Sequence, residues 1–183
     1  MSGPRIPFPK PSELNAGTQF QLARRPPVHL YRMVAHAPAL LEPFMSMVLA
    51  NFNQLSLPAR LREAVILRVG AHHRSAYEIH HHRTKAREAG LSEECIDAVL
   101  ALGSIDELPD PALGDAIEFA DRLLSGAPID DCLVRRIVEA HKNRGYAELA
   151  LLVGFYRMVA TFIDATGIEP ESNDIVSHWR SPT

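Results

Sequence analysis

Cysteine is scarce in this chain. There are two in 183 residues, Cys95 and Cys132, far apart and in no Cys-x-x-Cys pair. That usage suits a reducing compartment, and both thiols are expected to be small apolar fillers rather than a redox pair. An excess of basic charge is also missing. The formal net charge is −3, and the adjacent basic residues Arg24-Arg25 and Arg135-Arg136 are too few to follow a phosphate backbone, so nucleic acid is not an expected partner. The segment Met1 to Pro11 has prolines where a signal peptide has its apolar core. The most apolar stretch, Leu149 to Ile163, is short for a bilayer span, is interrupted by Arg157 and is followed by Asp164. No membrane partner is expected, and the expected location is cytoplasmic. Strict apolar–polar alternation is missing throughout, which argues against a sheet.

What is present is helical periodicity. The length is that of one domain with one core. Residues 1–28 carry Pro4, Pro7, Pro9, Pro11, Pro26 and Pro27 and are read as an extended arm, leaving residues 29–183 as a single helical domain. Proline at a first turn marks helices from about Pro38 to Phe52 and from Pro58 to Ala71. A polar break, His72-His73-Arg74-Ser75, precedes a helix that ends at Gly90. Ser92 caps a further helix over Glu93–Leu102. Helices at Pro111–Ser125, Ile129–Asn143 and Tyr146–Thr166 complete the pattern. The last is apolar almost all round, which predicts a central helix partly covered by a second copy of the chain. The fold class is therefore all-α, and self-association is expected.

The chemically informative segment runs from Arg62 to His82. If its two helices form a hairpin turning near His72-His73, Glu63 and His82 lie about nine residues either side of the turn. With about 1.5 Å of rise per residue, they stand at similar heights on facing helices. Glu78 and His82 are i and i+4 and share a face, with His81 flanking the same stripe. A carboxylate from one helix would then meet a carboxylate–imidazole pair from the next. Burial raises a carboxyl pKa, two carboxylates in one site push their proton affinities apart, and histidine titrates near neutrality, so the group suits proton transfer. The same spacing also fits a solvated Glu–His pair, and Glu63 could equally pair with a neighbouring arginine. Five of the nine histidines fall between His72 and His82. His80, His81 and His82 point about 100° apart on a helix and cannot converge on one ion. Glu63, Glu78 and His82, with His81 as a fourth, could hold one, but the His-x-x-x-His pair usual on one helix is missing, and no metal is assigned. Ser75 reads as the cap of the second helix. Tyr77 is a pocket-lining or core residue, and Arg68, if inward, is suited to gripping a substrate carboxylate. His141 and His178 carry no signal.

The stretch PARLREAVILRVGAHHRSAYEIHHHRTKAREAGLSEECIDAVL resembles the carboxymuconolactone decarboxylase and alkylhydroperoxidase D-like family. In the peroxidase branch of that family a glutamate is followed by eleven residues, Cys-x-x-Cys, three residues and a histidine. The frame here is Glu63, Ser75-Ala76-Tyr77-Glu78 and His82, with Ser75 and Glu78 at the two cysteine positions. LYRMVAHAPALLEPF upstream and LALLVGFYRMVATFIDATGIE downstream extend the likeness over most of the chain after residue 28. The resemblance implies an AhpD-like helical bundle with a central hairpin, assembled as dimers, trimers or hexamers.

Thiol peroxidase chemistry needs a thiolate and a resolving thiol, which Ser75 and Glu78 cannot supply. The decarboxylase branch dispenses with both cysteines and with any cofactor, and often carries a Tyr-Glu-Trp run ahead of its histidine. Tyr77-Glu78-Ile79 is similar, with Ile79 at the tryptophan position. The resemblance thus implies a cofactor-free decarboxylase-like enzyme acting on a small carboxylated lactone or enol acid. His82 would carry the proton, Glu63 and Glu78 would tune or exchange it, and Tyr77, His81 and Arg68 would contact substrate. The competing expectation is a non-catalytic oligomeric ligand-binding protein on the same helical body.

Overall fold

Helix boundaries follow the caps that the sequence supplies. The computed structural model describes residues 3–171 except 104, 106, 107 and 109; His178 lies outside the described residues. Among the described residues all regular structure is helical. After a 3-10 turn at Pro11–Glu13 come α1 (Ala16–Ala23), α2 (His29–Val34), α3 (Pro38–Asn53), α4 (Ala59–His72), α5 (Ala76–Glu88), α6 (Glu93–Leu100), α7 (Pro111–Ser125) and α8 (Asp131–Thr166). Ser75, Ser92 and Asp110 each accept a backbone N–H from the first turn of the helix that follows. The hairpin between α4 and α5 forms where the polar break predicts it.

Two stretches depart from expectation. The segment before residue 29 is not extended throughout. Asn15 accepts the Thr18 N–H and starts α1 across Ala16–Ala23, a run free of proline. The break expected near Gly145 falls instead at Lys142, whose φ of 62° and ψ of 175° interrupt α8. Gly145 serves that kink by close approach, since a Cβ there would lie 2.5 Å from the His141 Cβ.

The described residues form two compact units. One comprises those before Phe52 and after Phe162, and the other is Phe52–Phe162. Leu30, Met33, Leu41 and Met45 are buried in the first. In the second, α4 packs against α5, α6 and α7. Its residues from Glu63 to Ala71 are all buried, Glu63 and Arg68 included. The centre of this unit is therefore α4 and not the apolar helix at the C-terminal end, which leaves Leu151 69% and Met158 51% exposed. Gly70 lets the hairpin close, because a Cβ at that position would lie 3.1 Å from the Glu78 Cβ.

Candidate active site

Three buried polar residues meet across the hairpin. Glu63 is 1%, Glu78 3% and His82 6% exposed. Such groups are tolerated inside a protein only when paired or neutral. The pairing is direct: His82 Nδ1 lies 2.8 Å from Glu63 Oε2. With Glu63 ionised, Nδ1 carries the proton and donates it, and the lone pair of His82 is left on Nε2. That nitrogen stands 3.7 Å from Glu78 Oε2. Glu78 Oε2 is buried and makes no hydrogen bond among the described residues. A shift of about half an ångström would turn the gap into a hydrogen bond.

The electrostatics push the three groups apart. Burial raises Glu78, and the nearby Glu63 charge adds to it, so its pKa rises from 4.5 to about 8. Burial also opposes ionisation of Glu63. The hydrogen bond and charge of His82, with those of Arg62, outweigh it and hold Glu63 below the usual carboxylate value. Burial depresses His82, the bond and charge of Glu63 work against that, and Lys85 and His81 reinforce it, for a net lowering. At neutral pH the site therefore holds a carboxylate at Glu63, a neutral imidazole at His82 and a protonated carboxyl at Glu78. This is an acid and a base with separated proton affinities, side by side.

Several neighbours were not legible from the sequence. Arg62 donates from Nε to Glu63 Oε1 at 3.0 Å and from Nη1 to the Phe52 carbonyl at 3.0 Å. The Phe52 ring lies parallel to His82, with centroids 6.0 Å apart and an 8° interplanar angle. Tyr156 meets His82 edge-on at 5.2 Å. A pairing of Glu63 with a neighbouring arginine is one reading of the sequence, but the Phe52 carbonyl that fixes the same guanidinium is not part of it. Phe52 and Tyr156 come from helices remote in sequence.

The remaining predicted residues are placed as follows. Tyr77 is buried against the His81 ring, with centroids 4.5 Å apart. His81 also meets the exposed His80 edge-on. Ser75 caps α5 by accepting the Glu78 N–H at 3.3 Å. Arg68 is not brought to the Glu63–His82 pair. Its guanidinium grips Asp121 through two 2.7 Å bonds and donates to the Val99 carbonyl at 2.9 Å, while His72 holds the same aspartate. Truncating Arg68 to alanine should lower unfolding stability by about 3 kcal/mol in urea titrations, because a buried partner is removed. An unchanged midpoint with a weakened KM would instead return Arg68 to the substrate. Cys95 is buried as expected, but Cys132 is exposed on α8, 3.4 Å from Arg136 Nη1, and both thiols are free. Among the described residues no three His, Cys, Asp or Glu side chains are grouped as metal ligands would be.

Known proteins share this arrangement of helices. Residues 38–121 match the model of the carboxymuconolactone decarboxylase family. The chain is similar in structure to an uncharacterised peroxidase-related protein with an alkylhydroperoxidase AhpD core from Ralstonia eutropha JMP134. The TM-score is 0.79 at 15% identity, with 96% of each chain covered. It is similar also to a peroxidase-related protein from Silicibacter sp. TM1040, with a TM-score of 0.76 at 18% identity, covering 96% of this chain and 94% of that one. The debrominase Bmp8, solved with 2,3,4-tribromopyrrole, aligns with a TM-score of 0.73 at 14% identity over 92% of both chains. At these identities the likeness is one of fold. No curated protein matches the sequence.

Proposed function

We propose that this chain, whose residues 38–121 match the model of the carboxymuconolactone decarboxylase family, is a member of that family and a cofactor-independent decarboxylase-like enzyme for a small carboxylated lactone or enol acid. The observation that supports this most is the buried contact of neutral His82 with ionised Glu63, 2.8 Å long, beside a Glu78 carboxyl whose pKa is about 8. Decarboxylation breaks the bond from carbon to carboxylate, releases CO2 and leaves the electron pair on a conjugated, enolate-like carbon framework. Glu78 then delivers its proton to carbon, and its carboxylate recovers one from solvent through His82 Nε2. One proton is consumed per CO2 released. His82 is the exchanger, because Glu63 fixes its tautomer and supports the imidazolium that forms in passing.

Thiol peroxidase activity is not part of the reading, since Ser75 and Glu78 stand where that chemistry needs sulfur. The debrominase is named for an activity on its own substrate, and a fold carries no substrate from one protein to another. Self-association as a dimer, trimer or hexamer and a cytoplasmic location belong to the same proposal. The test is a panel of carboxylated lactones and enol acids given to the purified protein, scored by CO2 release and by deuterium incorporation from D2O into product. Turnover with deuterium on the former carboxyl-bearing carbon supports the reading. A panel left intact, with saturable binding only, favours the ligand-binding alternative.

A further inference from the structure

Arg62 is the residue beside the acid–base pair that the mechanism has not used. It is largely buried, its side chain 13% exposed. The guanidinium is spent on two acceptors: Nε and Nη2 each lie 3.0 Å from Glu63 Oε1, and Nη1 lies 3.0 Å from the Phe52 carbonyl. Its central carbon sits 5.1 Å from the centroid of the Phe52 ring, which in turn lies parallel to His82. Glu63 thus has one oxygen taken by Arg62 and the other by His82 Nδ1. A carboxylate bonded at both ends cannot rotate away from the imidazole.

We infer that Arg62 is a positioning residue for this site, holding Glu63 Oε2 on His82 Nδ1 and the Phe52 ring alongside the imidazole through one guanidinium. The inference rests on the acid–base reading of Glu63 and His82. The Arg62 donors are engaged by Glu63 and the Phe52 carbonyl, and it acts through Glu63, His82 and Phe52. Lysine could not replace it, since one ammonium lacks the planar fork that reaches a carboxylate and a carbonyl together.

The groups that face His82 set what its removal does. They are Glu63 and Arg62 from α4, Glu78, His81 and Lys85 from α5, Phe52 from α3 and Tyr156 from α8. Taking Arg62 away frees Glu63 to turn from the imidazole, and His82 then loses the hydrogen bond and charge that work against its burial, so that it accepts a proton only at lower pH. Without the second tether on Glu63, the imidazole also loses its reason to keep the proton on Nδ1.

The experiment is a nitrogen-15 NMR titration of His82 in wild type, Arg62→Gln and Arg62→Lys. No substrate is needed, so its result is independent of whether any lactone acid is turned over. In wild type His82 should stay in the single Nδ1–H tautomer at neutral pH. In Arg62→Gln the midpoint should fall by about one pH unit or more, with both tautomers populated, whereas a rise with the single tautomer kept would be an effect of charge alone and would overturn the positioning role. Arg62→Lys should recover part of the midpoint but not the single tautomer. A structural tether alone would lower the melting temperature and leave the titration and tautomer at wild-type values, and that result would overturn the inference. Should only Arg62→Lys fold, a wild-type His82 signal in that variant overturns it equally.

Discussion

Replacing His82 with alanine should lower turnover of a responsive lactone or enol acid by about 10²- to 10⁴-fold, the usual contribution of one acid–base group. The loss should lie in kcat, because His82 exchanges the proton and does not grip the substrate. The variant should remain folded, since Glu63 keeps Arg62 as its partner at 3.0 Å. The wild-type pH–rate profile should show why. Activity needs His82 neutral and Glu78 protonated. The acid limb should therefore fall below the ordinary histidine value, because His82 is depressed by burial. The alkaline limb should fall near pH 8, where Glu78 loses its proton. A His82→Ala protein with wild-type turnover takes the imidazole out of the mechanism.

The second large effect is on stability and concerns Glu78. Its folded pKa, about 8, lies above the value of 4.5 for a free carboxyl. Between those two values the folded protein keeps a proton that the unfolded chain has already released. Stability must therefore fall as pH rises through that window, and it levels off above it. At about 1.4 kcal/mol per pH unit, the contribution lost between pH 4.5 and pH 9 is on the order of 5 kcal/mol. Glu78→Gln keeps the shape of the protonated carboxyl and cannot ionise. Near pH 5 the two proteins should unfold at similar urea concentrations. At pH 9 the variant should be the more stable by several kcal/mol, a large share of what holds a domain together. Parallel stability curves from pH 5 to pH 9 would mean that Glu78 is not proton-bearing in the fold.

Glu63 pulls in the opposite direction. Its folded pKa is lowered by His82 and Arg62 despite burial, so its contribution is present above the unfolded value and is lost as pH falls through the folded one. The two carboxyls of one site thus limit stability from opposite sides.

Much of this molecule was legible before any coordinates. Proline at first turns, serine caps and a 3.6-residue apolar rhythm mark local backbone choices, and local choices are what a sequence displays. The hairpin from Ala59 to Glu88 and the meeting of Glu63 with His82 follow from that rhythm and a turn length. The identity of the central helix did not. An apolar helix announces burial, whereas α4 hides it. Glu63 and Arg68 are charged residues that lie inside because a partner on another element satisfies each, and Arg62 beside them reaches the Phe52 carbonyl. The partner of Arg68 was hidden for the same reason: Asp121, which binds it, lies 53 residues further on.

The sequence by itself determined the helical class, the hairpin and the absence of sulfur at the cysteine positions of the family frame, since these rest on residue type and spacing within about twenty residues. Only the tertiary structure decided which groups are charged. The pKa of Glu78 comes from its burial and the nearness of Glu63, and the ionised state of Glu63 from His82 and Arg62. Phe52 and Tyr156 reach His82 from either side of it in the chain, 30 residues before and 74 residues after. Proton affinity is set by what surrounds a group, and those surroundings are brought together by packing rather than by adjacency in the chain.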